Sequence, residues 1–390
     1  MRQPHDVRQA HDVSQHHERS IAPVCQISRR DLLRRAVPGA AGLVLLSRGV
    51  GHAAPTGPEW EPMVAAARKE GKVAVNTFTG QGHARVLKLF SQAYPDIKVE
   101  HTNLEAVDFA PRVIQERKAS VFTWDVATMP MSTALQVLKP AGVWDPIKPV
   151  IVAAEARNNA NWRGGFDAGF LDRDRHLAYS FSLVRAPGVF VNVDQVKEGE
   201  LKSVKDLLAP KWKGRIAISD PRTIGSTFWP LTAARLKLGD AIMKQILVDQ
   251  EPVLSRDRNQ LTEFMVRGRY PIAIGLNGLA LQDFQSHGVG KNVKTWLLPE
   301  LDYQSSGSGV WLLNRAPHPN AAKLLINWLL TKEAQTAWAR ELQTNSRFVG
   351  VEPGDPQSVV PAGVSLLQID AEEQLSELVK TQDIARQLIR

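Results

Sequence analysis

The sequence predicts an α/β protein of two α/β lobes. Short β-rich runs alternate with helical runs, the grammar of mainly parallel sheets covered by helices on both faces. The alternation starts afresh after Arg185-Ala186-Pro187-Gly188, which makes two rounds of it. The roughly 340 residues beyond position 54 are too many for one compact core and suit two.

The chain opens on Ser28-Arg29-Arg30-Asp31-Leu32-Leu33-Arg34, an apolar run at 36–46 and the small residues around Gly51-His52-Ala53-Ala54. This order reads as a twin-arginine signal peptide over 1–54, with a periplasmic mature protein starting near Ala54. Residues 1–54 hold eight arginines against four acids, so the net charge drops from +8 to +4 once they leave. The remaining basic residues are scattered among acids, and no nucleic-acid partner is expected. The sole cysteine, Cys25, lies upstream of the apolar run, which excludes a lipoprotein anchor and leaves the mature chain without disulfides, a cysteine nucleophile or a thiolate metal site. No later stretch has the apolar length to cross a bilayer, so no stable membrane insertion is expected after cleavage.

In the first round, 59–69 reads as a helix with acids in its first turn, bases in its last and Gly71 as its stop. A buried strand follows at 72–77, then the loop Phe78-Thr79-Gly80-Gln81-Gly82-His83 and a helix at 84–94. Strands are expected at 97–101 and 124–128, with a helix at 109–118 between them and a polar loop at 129–132 after them. Asp172-Arg173-Asp174-Arg175 reads as a solvated turn.

In the second round, strands are expected at 189–193, 215–219 and 272–275, with helices at 204–208, 228–238 and 279–286. Ser305-Ser306-Gly307-Ser308-Gly309 reads as a hydroxyl-rich crossing, followed by a strand at 310–313 and two helices within 320–342. An amphipathic helix closes the chain at 371–389. The resulting domains are 1–54 signal, 55–184 with 308–350 as one lobe, 185–307 as the other, and 351–390 as a helical segment packing on a lobe.

Two strand-loop-helix junctions stand out, Thr79-Gly80-Gln81-Gly82-His83 and Pro221-Arg222-Thr223-Ile224-Gly225-Ser226-Thr227. Each places backbone N–H groups and the positive end of a helix at the carboxyl end of a strand, where open α/β sheets bind ligands. Across a cleft the two would grip an anion, with Arg222 adding charge and Thr79, Ser226 and Thr227 hydroxyls. Taken alone, each loop also reads as a helix cap. No nucleotide fingerprint, phosphate loop or nucleophile elbow occurs. The histidines His83, His101, His176, His287 and His318 have no zinc-site spacing, so no metal, cofactor or catalytic residue is assigned.

The segment Ala316-Pro317-His318-Pro319-Asn320-Ala321-Ala322-Lys323-Leu324-Leu325-Ile326-Asn327-Trp328-Leu329-Leu330-Thr331-Lys332-Glu333-Ala334-Gln335 resembles the late helix pair of the extracellular solute-binding proteins of bacterial ABC importers, in the branch grouped with ferric-ion-binding proteins. Shorter stretches that resemble the branch lie at 64–73, 209–217 and 266–273. Pro317 and Pro319 fix the start of this helix pair, Asn320 is expected to cap it, and its Leu/Ile/Trp spacing buries one face.

The resemblance implies a type II periplasmic binding protein fold that closes on a solute and docks on a membrane permease. Ferric members use two adjacent tyrosines after the strand that matches 272–275. Here Leu276-Asn277-Gly278-Leu279-Ala280 stands in their place, and although His83 keeps the histidine, 128–132 supplies no acid. Hard ferric iron wants anionic oxygen, so a small, anionic organic solute is expected instead. Its expected contacts are Thr79, Gly80, His83, Tyr179, Arg222, Thr223, Ser226, Thr227, Asn277 and Ser308, on a monomer that delivers to ABC permease subunits. A ferric carrier with other ligands and a secreted hydrolase stay open as alternatives.

Overall fold

A computed structural model describes residues 58–78, 81–223, 227–276, 278–307 and 309–389. The expected signal peptide lies outside these residues. In the first lobe α1 (Trp60–Glu70) stops at Gly71, which takes the left-handed φ of +70° that only glycine adopts cheaply. It is followed by β1 (Lys72–Thr77), α2 (Gln81–Ala93), β2 (Lys98–Asn103), α3 (Ala106–Lys118) and β3 (Val126–Met129). Then come α4 (Met131–Thr133), which widens over Ala134–Leu138, β4 (Trp144–Asp145), α5 (Ala154–Arg157), β5 (Ala178–Tyr179) and β6 (Val184–Ala186).

The second lobe runs through β7 (Val189–Asn192), α6 (Val204–Leu207), β8 (Ile216–Ser219), α7 (Phe228–Leu238), α8 (Ala241–Lys244) and β9 (Val253–Ser255). It continues with α9 (Arg258–Val266), β10 (Ile272–Ile274), α10 (Gly278–Ser286), β11 (Val293–Trp296) and β12 (Tyr303–Ser305). The chain then returns to the first lobe as β13 (Gly309–Leu313), α11 (Pro319–Leu329) and α12 (Lys332–Leu342), and ends in β14 (Leu367–Gln368) and α13 (Glu372–Leu388).

The first sheet has the order β2-β1-β3-β13-β4, with β5 also on β13. Its β1, β2 and β3 are parallel, whereas the returning β13 runs antiparallel to β3. The second sheet, β11-β7-β10-β8-β9, repeats the scheme with a parallel trio, β8, β9 and β10, and with β7 antiparallel to both of its neighbours, β10 and β11. A third, small sheet joins the lobes: β6 and β12 pair antiparallel, Arg185 opposite Gln304, and β14 adds in parallel to β12. The expected hydroxyl-rich crossing is thus partly strand, and Ser306 in it is buried.

Helices α1, α2, α11 and α12 cover one face of the first sheet with an apolar cluster that includes Phe90, Leu325 and Trp328. The other face packs Phe109, Leu135 and Trp311 together with Phe228 from the second lobe and Leu375 and Leu378 of α13. The far end of α13 puts Ala385 into the core of the second lobe beside Leu231 and Ile242. The closing helix therefore touches both lobes, where the sequence suggested one.

Two expected details are corrected by carboxylates. The start of α11 is capped by Glu70, which accepts from the N–H groups of Asn320 and Ala321 at 3.1 and 2.7 Å, while Asn320 donates its own amide to Glu70. A charged acceptor at a helix start satisfies orphan N–H groups better than a neutral amide does. Asp172, read as part of a solvated turn, is 1 % exposed and accepts from the N–H groups of His176, Leu177 and Ala178.

Candidate functional site

The carboxyl end of β8 builds a charged rim. Asp220 is buried, and its backbone N–H donates to Ser255 at the end of β9 at 2.9 Å. Its carboxylate accepts from Arg222 twice in a fork, Nε at 3.0 Å and Nη2 at 2.8 Å, from the Arg222 backbone N–H at 3.0 Å, and from Arg256 Nε at 2.9 Å. The Arg222 bonds, then those from Arg256, hold the Asp220 carboxyl well below the usual carboxylate range. Two guanidinium groups on one carboxylate leave one surplus positive charge. Arg222, expected to be free for an anion, is thus already half engaged, while Thr223 is exposed beside it and turns its hydroxyl to the Asp220 carbonyl.

The next rim element comes from β10. Gly275 has a φ of +72°, and a Cβ there would stand 2.4 Å from the backbone of Thr227. The start of α7 and the exit of β10 therefore touch only because this residue is glycine. Thr227 is buried and donates its hydroxyl to the Ile274 carbonyl at 3.0 Å, so it ties α7 to β10. Thr79, Gly80, Ser226, Asn277 and Ser308 lie outside the described residues.

In the first lobe two expected contacts become core residues. The helix α2 starts three residues earlier than its spacing suggested, which places His83 in its first turn and turns it inward. His83 is 1 % exposed, edge-on to Phe78 at 4.7 Å and Trp338 at 5.3 Å. Gly82 beside it lets α2 close on α12, since a Cβ would meet the Glu341 carbonyl at 2.4 Å. Tyr179 is wholly buried among Trp162, Phe166 and Phe170, and burial pushes its hydroxyl up against the pull of Arg347. Both side chains are packed into the core, His83 against Trp338 from far along the chain and Tyr179 against rings that closely precede it in sequence.

The seam between the lobes carries charge that the sequence did not announce. Arg185 in β6 and Asp302 just before β12 form a buried pair at 2.6 Å, and Asp302 also accepts from the Gly188 N–H at 3.1 Å. Asp370, after β14, accepts from Ser305 Oγ at 3.0 Å, the Ser306 N–H at 2.9 Å and the Ser306 hydroxyl. Trp229 of α7 stacks on Tyr303 at 6.3 Å. An acid next to a serine-rich crossing was the one available signal, and it sits more than sixty residues away in sequence.

Among the described residues no cluster of three His, Cys, Asp or Glu side chains could hold a metal, and no helix is long and apolar enough to cross a membrane. What the described residues bring together is one buried carboxylate holding two guanidinium groups at the carboxyl ends of the parallel strands β8 and β9.

A family model described as bacterial extracellular solute-binding protein matches residues 72–341. Among solved structures, the Trichodesmium protein IdiA (FutA) in complex with iron and citrate superposes with a TM-score of 0.62 at 16% identity, over 82% of this chain and 99% of that one. Iron-bound HitA from Pseudomonas aeruginosa gives 0.56 at 17% identity, over 82% and 99%. An ABC transporter protein from Clostridium perfringens gives 0.60 at 17%, over 82% and 100%. No curated protein matches the sequence.

Proposed function

Because the chain belongs to the family of bacterial extracellular solute-binding proteins, we propose that it captures a small, anionic organic solute between its two lobes in the periplasm and hands it to the permease of an ABC importer. It performs no chemistry. The lobes are 55–184 with 308–350 and 185–307, and closure is a population shift driven by contacts that the solute makes with both lobes only in the closed state. The observation that carries the anionic reading is the rim after β8, where Asp220 fixes both Arg222 and Arg256 and leaves a net positive charge. A guanidinium already held in place loses little freedom on meeting a carboxylate or phosphate oxygen.

Calorimetric titration with di- and tricarboxylates, phosphate esters and neutral sugars tests the proposal. Binding confined to anions, weakened about tenfold or more in Arg222→Ala, is the expected result. Binding of a neutral sugar alone overturns it.

Ferric iron is the second reading, favoured by the iron-loaded relatives in Trichodesmium and Pseudomonas aeruginosa. Against it stands the placement of the four tyrosines, at 94, 179, 270 and 303, where no two are neighbours.

A further inference from the structure

The carbonyl of Arg222 is held from outside its own loop. Gln382 Nε2 donates to it at 3.0 Å and Arg386 Nε at 3.3 Å, from successive turns of α13. Resting on the anion reading above, we propose that Gln382, assisted by Arg386, is a positioning residue for the solute site: it fixes the course of the loop that carries Asp220 and Arg222, to which Arg256 is joined through Asp220.

Gln382 is 9 % exposed, so its amide has given up water for this one carbonyl, and a buried amide is kept where its partner needs a fixed place. Among the described residues, the other hydrogen bonds on the loop are short-range or come from β9 and the residue after it: Asp220 accepts the Arg222 N–H and the Arg256 Nε, and Ser255 accepts the Asp220 N–H. The element that holds the carbonyl is itself rooted in both lobes. At its start, Glu372 accepts from Lys139 at 2.7 Å and from the Arg173 N–H at 2.7 Å, and Leu375 and Leu378 pack on the first lobe. Midway, Thr381 accepts from the buried Arg235 of α7 at 2.9 Å, and Ala385 enters the second core. A shift of the first lobe that moves α13 therefore reaches the Arg222 carbonyl directly.

Gln382→Met in the full chain keeps the volume and the charge and removes the donor. Amide exchange over residues 219–223 is expected to quicken about fivefold, and the inorganic phosphate or citrate concentration that half-maximally raises the Tm is expected to rise by a similar factor, with the anion-free Tm within about 2 °C of the parent. Arg386→Ala, at an exposed position that the fold tolerates, provides the second variant and is read by exchange alone, which its lost charge does not confound. Unchanged exchange over 219–223 in both variants overturns the positioning role. A parent Tm that responds to neither anion overturns the anion reading instead, while the exchange still decides whether Gln382 holds the loop.

Discussion

Asp302 has its carboxylate wholly buried against Arg185, and burial pushes its carboxyl up despite that partner. Removing one member of such a pair leaves the other charge uncompensated in a dry place. Asp302→Ala is expected to cost about 3–5 kcal/mol in urea unfolding at neutral pH. Asp220 behaves in the opposite sense. Its folded pKa, depressed chiefly by Arg222, lies below the unfolded value near 3.9, so between the two the unfolded chain binds more protons. The stability that Asp220 contributes is therefore present above about pH 4 and is lost as the pH falls further. Thermal melts of Asp220→Asn and the parent should accordingly lie far apart at pH 6 and converge toward pH 2. A gap that stays constant with pH would deny this carboxylate its role.

At the scale of elements, α13 is the piece whose loss both lobes feel. Leu375→Ala opens a cavity where that helix meets the first lobe, and a loss of about 2–5 kcal/mol by denaturant titration is expected. Elements with their own signals were legible in the sequence. The strand at Lys72–Thr77 and the helix at Phe228–Leu238 stand where composition and caps put them. The start of α2 was not legible, because Gly82 and His83 pack against Glu341 and Trp338, and contacts across more than 250 residues leave no local trace. The small sheet was equally hidden, since strands of two or three residues have no period to read. Of the site, the loop after β8 was visible as a ligand-type junction. That its arginine is shared with Asp220 and its carbonyl with Gln382 depends on packing alone.

For the whole molecule, the solute capture proposed above requires a change in the relation of two lobes across the β6-β12-β14 seam. Small-angle scattering should show a smaller radius of gyration when a binding anion is added, and an unchanged profile at saturation would refute closure. The same scale decides the metal question. Burial pushes the Tyr94 hydroxyl up to about 12 and raises those of Tyr179 and Tyr303 as well, which opposes phenolate formation. Ferric salt without an added organic acid is expected to give no strong visible charge-transfer band.

The strand order also dictates a schedule for the growing chain. Residues 189–296 contain every strand of the second sheet, so that sheet can be complete as soon as they have left the ribosome. The first sheet begins earlier but must wait for Gly309–Leu313 to slot between β3 and β4, and the small sheet waits for Leu367–Gln368. The half that is synthesised later is thus the first able to finish, and the last forty residues complete a fastening that β6 and β12 begin.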